Sequence, residues 1–111
     1  MNYNSAIKVF RMTGDYRLRA VFQDGYIGEI DLRPLFEKPR GPLTLAFQDP
    51  AFFGKASVDL DAAAWPNCYD IDPDVLRYYC EMGRVCSREE LAVAFERPEL
   101  APMTLNDKQK L

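Results

Sequence analysis

The groups able to do chemistry in this chain are three cysteines, a short acidic run and one aromatic-rich segment. Cys68, Cys80 and Cys86 are scattered, and the sequence contains no histidine. A thiol or hydroxyl nucleophile needs a base, so Cys–His and Ser–His–Asp catalysis in their usual forms are out of reach. Asp70, near Cys68, would raise that thiol's pKa, the wrong direction for a nucleophile. Three cysteines without histidine also fail to match zinc-ligand spacing. The run Asp70-Ile71-Asp72-Pro73-Asp74 has enough oxygen to offer a hard cation. Asp72, however, is wanted as a helix cap, and Asp74 suits the positive end of the same helix. Gly41 and Gly54 stand alone, so no glycine loop is present to cradle phosphate. No catalytic residue, metal ligand or cofactor emerges, and an enzyme is disfavoured.

The aromatic-rich segment is Trp65-Pro66-Asn67-Cys68-Tyr69-Asp70. Trp and Tyr are frequent interface anchors, and proline keeps its predecessor extended. Trp65, Asn67, Tyr69 and Asp70 are therefore the partner-binding candidates. A bland alternative stays open at this point: Trp65 is a core residue at a strand end, and Asn67 ties a turn.

These groups must be positioned by a small fold. The 111 residues, 48% hydrophobic and 13% aromatic, suit a single folded domain, expected over residues 1–97. Residues 6–33 read as an antiparallel β-meander, with Thr13-Gly14-Asp15 and Gln23-Asp24-Gly25 as turns. A two-residue Asp24-Gly25 turn would mix charge and core on each face. A three-residue loop with Gly25 left-handed pairs Phe22 with Tyr26, Leu18 with Ile30, Arg19 with Glu29 and Arg17 with Asp31. A one-residue slip flips every side chain, so the consistent register is expected to win. Phe10, Met12, Tyr16, Leu18, Phe22, Tyr26, Ile30 and Leu32 then face the core, with Gly28 as a thin spot for another element. The opposite face carries Arg11, Arg17, Arg19, Glu29 and Asp31. Its apolar end, Ile7, Val21 and Ile27, is the candidate dimer interface.

Residues 34–55 read as a proline-rich loop with a short helix opened by Asp49-Pro50. Two further short strands are expected within 56–71. A helix pair spans 73–96, its second member opened by the capping box Ser87-Arg88-Glu89-Glu90. Residues 98–111 read as a mobile tail. The expected fold is α+β: an antiparallel meander with two further short strands, packed by one or two C-terminal helices.

The helix pair has the outline of a helix-turn-helix, with Arg77, Arg84, Arg88 and Arg97 as its basic residues. Glu89 and Glu90 would meet phosphate unfavourably, and the net charge of −3 supplies no attracting field. Nucleic acid is thus disfavoured as a partner of this chain alone. No apolar run reaches the ~20 residues of a membrane span. The cysteine usage and the N-terminal residues point to a cytoplasmic protein with no membrane partner.

One combination of motifs is more specific. Asp24-Gly25, Gly28, Asp31-Leu32, Asp49-Pro50-Ala51-Phe52-Phe53, Trp65-Pro66-Asn67, Asp70 and Pro73-Asp74-Val75-Leu76 occur in this order. Together they resemble a bacterial domain-of-unknown-function family, the one numbered 2442, over roughly residues 6–82. The resemblance implies a small α+β domain, found alone, joined to a helix-turn-helix segment, or encoded beside a small partner in an apparent toxin–antitoxin pair. Many relatives have glycine where this chain has Cys68. If that position needs a positive φ, cysteine is strained there, and the local turn is expected to differ. The leading functional expectation is a non-catalytic protein-binding module, adaptor or antitoxin-like, whose partner is another small protein or a second copy. A DNA-associated regulator using the helix pair, and a small-molecule-binding protein or enzyme, are the alternatives.

Overall fold

The computed structural model describes residues 5–37 and 41–96. The tail expected at 98–111 lies outside the described residues. Strands β1 (Ile7–Gly14), β2 (Arg17–Phe22) and β3 (Ile27–Asp31) form an antiparallel sheet in the order β1-β2-β3. The β2–β3 register is set by the loop between them. Gly25 adopts φ +91, and the Phe22 N–H donates to the Tyr26 carbonyl at 2.9 Å. Leu18 then pairs with Ile30, Arg19 with Glu29, Arg17 with Asp31, and Ala20 with Gly28. This is the register the sequence favours. Leu18, Ala20, Phe22, Ile30 and Leu32 are buried on one face, while the arginines lie on the other.

The first strand departs from simple alternation. Ile7 pairs with Phe22 and Val9 with Val21, so Lys8 is an extra residue bulged out of the ladder. A bulge resets the side-chain alternation. Ile7 is consequently turned into the core, 1% exposed, while Val9 stands 52% exposed on the outer face. Ile7 thus cannot share a surface with Val21 and Ile27; Val9 takes that place.

Strands β4 (Ser57–Asp59), β5 (Ala62–Ala64) and β6 (Asp70–Ile71) make a second antiparallel sheet in the order β4-β5-β6. The short strands therefore do not extend the meander. Between Ala64 and Asp70 the chain reverses within a few residues, so the free edge of β5 is taken by β6. Leu60 and Asp61 have φ of +49 and +69, the left-handed pair that a two-residue hairpin turn requires. The Ile7 N–H donates to the Asp61 carbonyl at 2.9 Å, linking the two sheets.

Between the sheets the chain makes a 3₁₀ turn at Arg33–Leu35, helix α1 (Pro42–Leu45), a second 3₁₀ turn at Ala46–Gln48 and helix α2 (Pro50–Phe53). The α1 turn falls where only loop was expected. The Asp49 carboxylate accepts the Ala51 N–H at 3.0 Å and caps α2. Helix α3 (Pro73–Met82) is capped by Asp72, which accepts the Asp74 N–H at 2.8 Å. Helix α4 (Arg88–Glu96) opens with a reciprocal capping box: the Glu90 N–H donates to Ser87 Oγ at 3.1 Å, and the Ser87 N–H to the Glu90 carboxylate at 2.9 Å.

Helix α3 is buried on more than one face. Leu76, Arg77, Tyr78 and Tyr79 are all buried, because α3 packs on β3 of the meander and meets α4 through Tyr78. The Tyr78 and Phe95 rings meet at 5.8 Å. On the sheet side the approach is closest at Gly28, where an added Cβ would lie 2.7 Å from Cys80 Cβ and 2.8 Å from Tyr26 Cε2. Gly28→Ala must therefore push α3 off the sheet or displace Tyr26. The expected loss is about 1–3 kcal/mol, read as a lower urea midpoint; an unchanged midpoint would refute the close approach.

Candidate interaction surface

The aromatic segment folds as a tight reversal. The Cys68 N–H donates to the Trp65 carbonyl at 3.1 Å, and the Trp65 N–H donates to the Tyr69 carbonyl at 2.8 Å. Pro66 occupies the second position of that turn, where its fixed φ is favourable. Cys68 follows at φ +71, the left-handed position that closes such a loop onto paired strands. The position is left-handed here, and the cysteine carries the strain. Asn67 Oδ1 accepts the Tyr69 N–H at 3.1 Å, while Asn67 Nδ2 donates to the Leu43 carbonyl of α1 at 2.7 Å.

Trp65 is not at a surface. It is 4% exposed, its indole N–H donates to the Phe53 carbonyl at 2.8 Å, and its ring packs against Phe47, Phe53 and Tyr69. Tyr69 is half-buried in the same cluster, against Phe36 and Phe47. Of the sequence-derived partner-binding candidates, Trp65 is committed to the core and Asn67 to holding two loops together. Asp70 is exposed in β6. The four lie close in the chain, yet they do not form a common outward-facing surface. The acidic run is likewise divided, with Asp72 capping α3 and Asp74 in its first turn, held above the usual carboxylate range by burial and by Asp72. Among the described residues no group of three or more acids or cysteines could hold a metal ion.

Two of the three thiols, Cys80 and Cys86, are poorly suited to nucleophilic attack. Burial pushes Cys80 up to about 12, and burial also raises Cys86. Cys68 is exposed.

Two cations of the helix pair, Arg77 and Arg84, are spent internally. Arg77 donates to Asp24 at 2.9 Å and to Glu81 at 2.8 Å, with side-chain exposures of 7% for Arg77 and 6% for Glu81. Its guanidinium also lies 3.9 Å from the Tyr26 ring centroid and 5.3 Å from that of Phe22. This clamp fastens α3 to the β2–β3 hairpin. Partial burial pushes the Asp24 carboxyl up, but the Arg77 hydrogen bond and the Tyr26 N–H outweigh it and hold the group below its ordinary value. Arg84 pairs with Glu90, and that bond together with the Ser87 cap brings the Glu90 carboxyl down to about 2. In the sequence Arg77 reads as one more basic residue of a helix pair. Its partner Asp24 lies 53 residues away, so no local pattern could reveal the clamp.

The outer face of the meander is different in kind. Val9, Val21 and Ile27 are direct cross-strand neighbours, forming one apolar row across all three strands. Val9 is 52% and Ile27 60% exposed. With Phe10, Arg11 and Arg19 they line a shallow groove of about 300 Å³. The next row along the strands is Arg11, Arg19 and Glu29, and beyond it Arg17 pairs with Asp31. Sequence reasoning found Val21 and Ile27 but missed Val9, because the Lys8 bulge leaves no mark in the local pattern.

Comparison with known proteins bears on the whole of this architecture. Residues 7–81 match the family described as "Protein of unknown function (DUF2442)". The chain belongs to that family. Neither a curated protein nor a solved structure matches it. For this DUF2442 member the matched span covers both sheets and nearly all of α3, hence the aromatic turn, the Arg77 clamp and the outer groove alike. No helix among the described residues is long and apolar enough to cross a membrane.

Two outcomes follow from the strained turn and the clamp. Cys68→Gly removes the cost of a left-handed non-glycine residue, roughly 1–2 kcal/mol, against the roughly 0.4–1 kcal/mol that glycine adds to unfolded-chain entropy. A net gain of about 0.5–1 kcal/mol should appear as a higher melting temperature; destabilisation would show that the thiol makes a stabilising contact. Arg77→Ala removes the cation from the buried Glu81 carboxylate and from Asp24 and should cost about 3–5 kcal/mol in urea unfolding. The double variant Arg77→Met/Glu81→Met should recover much of that loss. A cost below about 1 kcal/mol for Arg77→Ala, the range of an exposed pair, would remove the clamp from the account.

Proposed function

We propose that this protein is a non-catalytic protein-binding module, an adaptor or antitoxin-like partner, that engages another small protein through the outer face of its meander. The observation that carries the reading is the exposed Val9–Val21–Ile27 row, an apolar strip on an otherwise charged sheet face. Isolated exposed apolar residues are ordinary, but a contiguous strip beside a groove is the usual mark of an interaction site. The chemistry available elsewhere supports the same reading. The chain has no histidine, the Cys80 and Cys86 thiols are raised by burial, and the acidic run caps a helix.

The test is co-purification of the tagged full chain from its native host, with nuclease treatment, in parallel with the Ile27→Asp variant. One stoichiometric protein is expected to survive nuclease with the parent chain and to be lost with Ile27→Asp. An identical set of captured proteins for both chains, or recovery of nuclease-sensitive material alone, would overturn the reading.

A further inference from the structure

Resting on the reading of the outer face as a binding site, we infer that its occupant is a short amphipathic helix whose apolar turn is followed by a turn carrying carboxylates. A sheet edge takes a strand, whereas a sheet face is covered by helices or by another sheet. Val9, Val21 and Ile27 span three adjacent strands, and strands lie about 4.8 Å apart, so the row is roughly 10 Å wide. That is the diameter of one helix, about 10–12 Å with side chains. The following row, Arg11, Arg19 and Glu29, lies two residues further along the strands, roughly 6.7 Å away. This is slightly more than the rise of about 5.4 Å in one helical turn. A helix running along the strands thus meets an apolar floor and then, one turn later, a charged one.

The sign of that second floor sets the partner's charge. Glu29 is shared between Arg17 at 2.8 Å and Arg19 at 3.3 Å. Arg11, at the lip of the groove, pairs with no carboxylate among the described residues. Asp31, opposite Arg17, is the second carboxylate of this face, so three guanidiniums meet two carboxylates and Arg11 is left without one among the described residues, on a chain whose net charge is −3. The local excess of positive charge is complementary to carboxylates. A second copy of this chain fits less well. An isologous contact would set this face against its own copy, which carries the same excess of guanidiniums rather than carboxylates.

The experiment immobilises the full chain and selects from a displayed library of helical peptides. Enriched sequences are expected to place Leu, Ile or Met in one turn and Asp or Glu in the next. Binding of a synthetic enriched peptide should fall about tenfold or more for Ile27→Asp and for Val9→Asp, which act independently on exposed positions. Arg11→Glu should weaken it several-fold and restore affinity for the Lys-substituted peptide. Circular dichroism of each variant establishes that it is folded. Enrichment of peptides that need Ile27 but lack carboxylates would overturn this inference and leave the protein-binding reading standing. If no enriched peptide depends on Ile27, or if a concentration-dependent dimer lost in Ile27→Asp is the only association found, the helix-docking inference is overturned. In the former case the outer face also loses its role as a binding site.

Discussion

Phe47 is the residue on which the two halves of this small fold depend. Its ring stacks on Phe36 at 4.1 Å and meets Phe52, Trp65 and Tyr69 edge-on at 5.1–5.3 Å. Its carbonyl accepts the Tyr16 hydroxyl at 2.6 Å. Tyr16 lies in the β1–β2 turn of the meander, Trp65 and Tyr69 flank the turn of the second sheet, and Phe36 and Phe52 come from the connecting segment. The second sheet has strands of three, three and two residues, too little to persist alone. Aromatic pairs contribute about 0.5–1.5 kcal/mol each beyond area burial, so this cluster supplies what the backbone ladders cannot. The segment between the sheets is therefore structural rather than a passive connector.

The Arg77 clamp does for α3 what Phe47 does for the loops. An isolated helix of ten residues is marginal in water, so α3 depends on tertiary contacts. Gly28 lets its backbone come close, and Arg77 then bonds across to the hairpin turn while its guanidinium lies against Tyr26. The same arrangement occupies two of the cations of the helix pair. Its buried cation is occupied by two carboxylates, and Arg84 is occupied by Glu90.

What could be read from the sequence was whatever short-range chemistry specifies. The β2–β3 register follows from alternating charge and apolar residues around a glycine, and the caps at Asp49, Asp72 and Ser87 follow from side chains reaching backbone two or three residues away. The rest depends on partners remote in the chain. Ile7 and Val9 are both branched and apolar, so either could face inward, and only the bulge at Lys8 decides. Trp65 reads equally well as anchor or core until Phe47 and Phe53 are brought to it. Cys68 shows the converse case. The turn chemistry of its neighbours overrides the preference of the residue itself, and the position is left-handed without a glycine.

The outer face poses a narrower question, because Val and Ile are strong strand formers and cross-strand packing alone could account for them. A one-sided antiparallel sheet is expected to present polar residues to water, as Arg11, Arg17, Arg19 and Glu29 do. Strand propensity would be served equally by threonine or tyrosine at these positions, without an exposed aliphatic row. Nor does it account for the guanidinium of Arg11 beside that row, which meets no carboxylate among the described residues. An exposed apolar strip raises the solvation cost, and an unpaired cation next to it adds nothing to the fold. A partner that covers the strip and answers the charge gives both features one physical reason.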